Sequence, residues 1–238
     1  MLCYIHQEIM KFEEKNGDED MKKLQFKGQW RDYQKRILDR SQGYMADGRV
    51  HISAAPGSGK TTLGIEFIRR FNKPALVLVP TITIREQWAE RIKEAFLETP
   101  SEAKALLSQT LKEPKTITIV TYQALHSALT RYKGSLSCQA EDEAMPSEEV
   151  DFSQFDLAKM MQDIGLGTLC LDECYHLRNE WWKSLEEFRR QFVQISLIAL
   201  TATPPYDSEP ALWQRYMNLC GEKENRVLTK KKVESPLK

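Results

Sequence analysis

Two short stretches of the chain carry residue types that could do phosphate chemistry together. The first is Ala54-Ala55-Pro56-Gly57-Ser58-Gly59-Lys60-Thr61, which follows a β-branched run and opens a helical pattern. Gly57 and Gly59 let the backbone curl so that its N–H groups point inward at the β- and γ-phosphates of a nucleotide. Those donors sit at the start of the helix from Lys60, whose dipole also favours an anion. Lys60 supplies a flexible point charge for the phosphates, and the Thr61 hydroxyl is a ligand for Mg2+. The second stretch is Leu169-Cys170-Leu171-Asp172-Glu173. An apolar strand that delivers two adjacent carboxylates to its end is costly unless they are used, because buried charge needs a partner. Asp172 would bind Mg2+, directly or through water, and Glu173 would orient and polarise the attacking water. A triphosphate clasped between these stretches requires both at one edge of one sheet.

The elements that must hold them there show in the hydrophobic pattern. Five β-branched runs stand out, at Arg49–Ala54, Ala75–Pro80, Thr116–Thr121, Thr168–Asp172 and Ile195–Thr201. Apolar strands with little alternation, separated by helices, predict a parallel sheet covered on both faces, hence an α/β fold. Helices are expected over Lys60–Phe71, Thr83–Leu97, Tyr122–Arg131 and Glu180–Val193. Trp181, Leu185, Phe188 and Phe192 share one face of the last of these. Such a stripe could stack bases, but helical spacing of aromatics more often marks core.

Composition bounds the partners. The 238 residues hold 34 Lys+Arg against 34 Asp+Glu, so nucleic acid would have to be held by a local patch rather than by bulk charge. Apolar runs such as Ala75–Val79 fall far short of the ~18 residues of a membrane span. The start, Met1 to Lys15, lacks the order of a signal peptide, and a cytoplasmic protein is expected, without membrane partners. Cysteines 3, 138, 170, 174 and 220 form no C-x-x-C pair and, like the four dispersed histidines, suggest no zinc module. The expected organisation is a lead-in over 1–22, a domain over 23–220 and a polar tail over 221–238. An acidic insertion occupies about 133–156, and its charge would repel a phosphate backbone. The Lys230–Lys232 run in the tail reads as a solvated end.

With these stretches in place, Asp172-Glu173-Cys174-Tyr175 resembles the DExH/DEAH box, and the chain resembles the first motor domain of superfamily 2 helicases and translocases. Further blocks are similar in the expected order. Trp30-Arg31-Asp32-Tyr33-Gln34 resembles the adenine-reading segment, in which Gln34 would bond the adenine edge. Val79-Pro80-Thr81 with Arg85 and Gln87, and Ile119-Val120-Thr121-Tyr122-Gln123, resemble the two blocks that grip the nucleic-acid backbone. Leu200-Thr201-Ala202-Thr203-Pro204-Pro205 is similar to the block that couples the nucleotide site to the other motor domain. The resemblance spans about residues 28–206 and implies a RecA-like P-loop domain with helices on both faces of a parallel sheet. It implies an ATP-dependent helicase-type NTPase using ATP and Mg2+.

Carried over residue by residue, the resemblance implies a nucleotide set of Arg31, Gln34, Ala55, Pro56, Gly57, Ser58, Gly59, Lys60, Thr61 and Thr62. Lys60, Asp172 and Glu173 would be catalytic, with Thr61 and Asp172 on Mg2+. Thr81, Arg85 and Thr121 would contact nucleic acid, and Tyr175, His176, Thr201 and Thr203 would couple the two activities. The text differs from the Asp-Glu-Ala-Asp and Ser-Ala-Thr of DEAD-box RNA helicases. It is closer to DNA-acting members, such as type III restriction-like and phage helicases, so DNA rather than RNA is the expected track.

Two departures qualify the expectation. Tyr175 stands where the family has His or Asp, and a tyrosine cannot switch charge near neutral pH as His can. His176 would either take over part of that role or be a bystander. The chain also has no Gln-x-x-Gly-Arg-x-x-Arg-like block, the source of the arginine finger, which in related systems is worth about 10³–10⁵ in rate. A second RecA-like domain is therefore expected to be missing from this chain and needed from elsewhere, and the isolated domain is expected to hydrolyse ATP slowly. The alternative is a nucleotide-dependent nucleic-acid-binding or regulatory module with little or no turnover.

Overall fold

The computed structural model describes residues 20–130, 156–174, 177–192, 194–202, 210–220 and 226–228. Its strands are β1 (Arg49–Ser53), β2 (Ala75–Val79), β3 (Leu107–Ser108), β4 (Ile117–Thr121), β5 (Thr168–Asp172), β6 (Ser196–Thr201) and β7 (Arg226–Leu228). They form one sheet in the order β3-β4-β2-β5-β6-β1-β7, and every neighbouring pair is parallel. The helices are α1 (Asp32–Asp39), α2 (Ser41–Met45), α3 (Lys60–Phe71), α4 (Ile82–Phe96) and α5 (Pro100–Leu106). They continue with α6 (Tyr122–Thr130), α7 (Leu157–Asp163), α8 (Asn179–Arg190) and α9 (Pro210–Cys220). The five strands read from β-branched runs are all present, each within a residue of its expected bounds.

Both sheet faces are apolar, which is why these runs show little alternation. On β2, Ala75, Val77 and Val79 enter one core with Leu63, Phe67, Trp88 and Ile92, while Leu76 and Leu78 enter the other with Leu125, Leu185 and Phe188. Burying each such large apolar side chain is worth about 1.5–3 kcal/mol, so the sheet's centre is its most firmly held part. On α8, which ends at Arg190 rather than at the expected Val193, Leu185 and Phe188 are fully buried and Trp181 packs at the edge of the same core, as does Phe192 just beyond the helix. The aromatic stripe is therefore a packing face.

The ends of the domain depart from the expected bounds. Met21 and Leu24 are fully buried in the first core, so the fold takes in the last residues of the lead-in. Gln25 N and Lys27 N donate to Phe96 O and Ala95 O, each at 2.9 Å, tying this segment to the end of α4. At the other end β7, inside the segment read as a polar tail, extends the sheet beside β1. Three residues are too few to show a period, and charged neighbours on both sides mask them. The insertion at 133–156 lies outside the described residues except for Asp156, which caps α7 by accepting from Lys159 N.

Parallel register brings the strand ends that matter to one edge. Ser53 pairs with Thr201, Asp172 with Leu200, and Val79 with Thr121. The turns after β1, β2, β4, β5 and β6 consequently emerge side by side. In open α/β sheets this carboxyl edge is where ligands bind.

Candidate nucleotide and nucleic-acid site

The turn between β1 and α3 is built for an anion. Gly57 and Gly59 have φ of 71° and 93°, left-handed conformations that disfavour side chains. Gly59 is the N-cap of α3, and no side chain caps that helix. By contrast, α4, α5 and α7 are capped by Thr81, Thr99 and Asp156. The first-turn N–H groups of α3 therefore keep their capacity for a ligand. Ser58 Oγ in the same turn is buried with no hydrogen-bond partner, a further polar atom suited to phosphate oxygen. The buried Lys60 folds back over its own loop, its Nζ donating to Ala54 O at 3.0 Å.

From the other side comes the acidic pair. β6 lies between β1 and β5, so its end bridges the two halves of the site. Lys60 Nζ lies 3.5 Å from Glu173 Oε1, joining loop and acidic pair directly. Glu173 Oε2 accepts from Ala202 N at 2.9 Å and from Thr201 Oγ1 at 3.3 Å. The Glu173 backbone has φ of 48°, and its N–H donates to Leu200 O at 2.8 Å. A left-handed non-glycine residue costs about 1–3 kcal/mol and persists only where its surroundings fix it. Here those surroundings are β6 and Lys60.

Asp172 is buried. Its Oδ2 accepts from Trp88 Nε1 at 2.7 Å, and its backbone O accepts from Tyr122 OH at 3.0 Å. Burial pushes its carboxyl up to about 6; Glu173 adds to the rise, while the Trp88 bond and Lys60 oppose it. A carboxylate so short of solvation is suited to a cation, and Thr61 stands in the first turn of α3 on the facing loop. Among the described residues no group of three His, Cys, Asp or Glu gathers into a closed cage. The thiol of the fully buried Cys170 is pushed well up by desolvation, so it is packing rather than chemistry.

The segment before the loop grips it from outside. Arg31 Nη1 donates to Gly57 O at 3.0 Å and Ser58 O at 2.9 Å, and Tyr33 OH donates to Ser58 O as well. Gln34 accepts from Arg31 N at 3.0 Å and donates to Gly59 O at 3.4 Å. Ala55 and Pro56 sit exposed at the loop's mouth, and Thr62 is buried in the first turn of α3.

The candidate nucleic-acid residues flank the nucleotide site. Thr81 is exposed and its Oγ1 caps α4 by accepting from Ile84 N at 3.2 Å; Thr121 Oγ1 accepts from Ala124 N at 3.1 Å at the start of α6. Both hydroxyls thus have a capping role of their own. Arg85, one turn into α4, donates to Glu86 Oε1 at 2.8 Å and to Gln109 O at 3.5 Å. Tyr175, His176 and Thr203 lie outside the described residues. The site thus contains Trp88, Tyr33 and Tyr122, which sequence reasoning did not pick out. Trp88 directly follows the noted Gln87, but nothing in local spacing points it at a residue 84 positions away.

The family described as "Type III restriction enzyme, res subunit" matches residues 27–206. No curated protein matches the sequence. Among solved structures, the Hef helicase domain of Pyrococcus furiosus is similar with a TM-score of 0.53 at 18% identity, over 80% of this chain and 36% of that one. The UvsW helicase of bacteriophage T4 is similar with a TM-score of 0.55 at 13% identity, over 87% of this chain and 65% of that one. The Sulfolobus solfataricus SWI2/SNF2 ATPase core, in complex with dsDNA, is similar with a TM-score of 0.51 at 16% identity, over 81% of this chain and 36% of that one. The chain thus spans less than two thirds of each of these structures. Among the described residues no helix is long and apolar enough to cross a membrane.

Proposed function

Because the chain belongs to the type III restriction enzyme res-subunit family and has the RecA-like fold of a superfamily 2 first motor domain, we propose that it binds Mg-ATP and couples ATP hydrolysis to movement on nucleic acid, DNA rather than RNA. The single observation that carries this reading is the 3.5 Å approach of Lys60 Nζ to Glu173 Oε1. It supports a reading in which the loop and the acidic pair meet one γ-phosphate.

In this reading the N–H groups of Gly59, Lys60 and Thr61 receive phosphate oxygens at the α3 N-terminus. Lys60 exchanges Ala54 O and Glu173 for the β/γ-phosphates. Glu173, released from Lys60 but still held by Ala202 N, accepts a hydrogen bond from the attacking water and orients it in line. Thr61 and Asp172 would hold Mg2+, which supplies charge neutralisation on the transferring phosphoryl group when bound. Thr201 and Ala202 report the state of Glu173 to the strand end of β6, the start of the path toward a second motor domain. Thr81, Arg85 and Thr121 contact the phosphate backbone, giving sequence-independent and salt-sensitive binding.

The similar fold of an ATPase core in complex with dsDNA motivates the choice of track. The arginine finger and cleft closure are assigned to a second motor domain. The test is ATPase activity of the chain with a second motor domain added in trans, with and without duplex DNA, single-stranded DNA and RNA. Stimulation by DNA above RNA is expected; no stimulation by any nucleic acid would overturn the reading.

A further inference from the structure

The end of β5 is held by a bond that does not belong to the sheet. In a parallel ladder every second residue of a strand turns its N–H and C=O to the same neighbour. Thr168 N donates to Pro74 O, so residues 168, 170 and 172 face β2, whereas Glu173 N donates to Leu200 O on β6. With Ala75 beside Thr168 and Leu78 beside Leu171, the donor due at Asp172 O is the N–H of residue 80. Residue 80 is proline, which has none. The β2–β5 pairing accordingly stops at Leu78 and Leu171.

The missing donor comes from one strand further out. β4 lies on the far side of β2, and Tyr122, directly after its last residue Thr121, donates from its hydroxyl to Asp172 O at 3.0 Å. Tyr122 is 1% exposed and packs with Leu78 and Leu171 in the second core, so the ring that carries the hydroxyl is fixed in place. A buried hydroxyl and a buried carbonyl each need a partner, and here each meets the other's need. The consequence falls on the next residue. A peptide unit is planar, so bonds on Asp172 O and Glu173 N together fix the plane from which the Glu173 side chain departs. Glu173 holds its φ of 48° directly after that plane, and from there its carboxylate meets Ala202 N and Lys60.

We propose that Tyr122 is a positioning residue of the hydrolysis site: its hydroxyl replaces the ladder bond that Pro80 cannot make and thereby holds Glu173 in its left-handed conformation. This rests on the motor reading above, in which Glu173 orients the attacking water.

The test compares Tyr122→Phe, which removes only the hydroxyl, with the parent in two measurements. The first is amide hydrogen exchange of the chain without nucleotide. The Glu173 and Ala202 amides should exchange about 3–10-fold faster in the variant, the worth of one hydrogen bond, beyond any change at Ile119 in the middle of β4. Adding Pro80→Ala to Tyr122→Phe returns an N–H to the ladder and should restore slow exchange at Glu173. An equal rise at all three amides, or no recovery with Pro80→Ala, would overturn the inference. The second measurement is steady-state ATPase with a second motor domain and duplex DNA added. The kcat should fall about tenfold while the KM for ATP stays within about twofold of the parent's, because the hydroxyl acts through the aim of Glu173. An unchanged kcat, or a loss confined to KM, would overturn the positioning role and leave the motor reading intact. A parent without turnover on any nucleic acid would overturn the motor reading itself, whatever the exchange pattern.

Discussion

Trp88 Nε1 donates to Asp172 Oδ2 at 2.7 Å, and neither side chain has more than marginal contact with solvent. The bond joins two elements to which the proposed function assigns different ligands. Trp88 sits on α4, which begins at Thr81 and carries Arg85, while Asp172 ends β5 at the nucleotide site. A shift of α4 on nucleic acid would therefore be felt at the carboxylate without an intermediary. Trp88→Phe keeps most of the ring and removes the donor. A hydrogen bond to a charged group is worth about 1.5–3 kcal/mol, and the variant should lose that much stability in urea unfolding. It should also show weaker stimulation of ATPase by DNA. An unchanged midpoint and unchanged stimulation would mean that the bond contributes to neither.

Asp172 itself should be a liability to the fold when no cation is bound. Its carboxyl is raised from 3.8 to about 6, chiefly by burial. A raised folded-state value means that the native protein binds the proton more tightly than the unfolded chain does. The stabilisation is full below about pH 4 and is lost as pH rises through 6. At pH 7 the ionised group then costs on the order of 2–3 kcal/mol. Asp172→Asn removes that cost while its side-chain oxygen still accepts from Trp88. Without Mg2+ or nucleotide, the variant should melt higher than the parent at pH 7, and the gap should close as pH falls toward 4. A gap independent of pH would rule out this origin.

The contrast between these two residues shows what was legible in the sequence. Asp172 ends an apolar run with a charge, a local contradiction that only function resolves, and so it could be found by reading. Trp88 follows the helical apolar period with Ile92 and Phe96, and a buried tryptophan there satisfies the pattern with no remainder. Its indole N–H is directed by the stacking of β2 against β5, a long-range pairing that local spacing does not encode. Helix α5 carried a readable start, Thr99-Pro100 with Glu102 completing a capping box, but at seven residues it is too short to show a period. Thr81 and Thr121 were legible as strand-end hydroxyls, yet each also caps a helix, so residue type alone does not separate the two roles.

Lys60 Nζ and Glu173 Oε1 lie 3.5 Å apart, and their substitutions should split binding from turnover. Lys60→Ala removes the cation that would meet the phosphates, at about 1.5–3 kcal/mol, so ATP affinity should fall at least about tenfold. The fold should survive, because the Lys60 ammonium contributes one hydrogen bond, to Ala54 O, and one ion pair, to Glu173. In Glu173→Gln the side chain still accepts from Ala202 N but no longer draws the proton from water. ATP affinity should stay near the parent's while turnover falls by about 10²–10⁴. Equal affinity in Lys60→Ala and the parent would displace the phosphate site from this loop. A parent with no turnover to lose would favour the binding-module alternative.

Arg85 is held in a small exposed network that nucleic acid would have to open. Its guanidinium pairs with Glu86 at 2.8 Å, and Glu86 Oε2 accepts from Gln109 Nε2 at 3.0 Å. The Arg85 and Gln109 bonds hold the Glu86 carboxyl below its ordinary value, so Glu86 stays ionised and competes with phosphate for the same cation. Exposed pairs of this kind are weak, within about 1 kcal/mol, so the competition should be measurable without being decisive. Glu86→Gln should therefore tighten DNA binding by about two- to fivefold at low salt. Arg85→Ala should weaken binding uniformly across sequences and reduce the slope of log affinity against log salt by about one. Titrations of a fluorescent duplex between low and moderate salt read both effects. If Arg85→Ala left the slope unchanged, α4 would not be the helix that meets the backbone, and Glu86→Gln should then be silent as well.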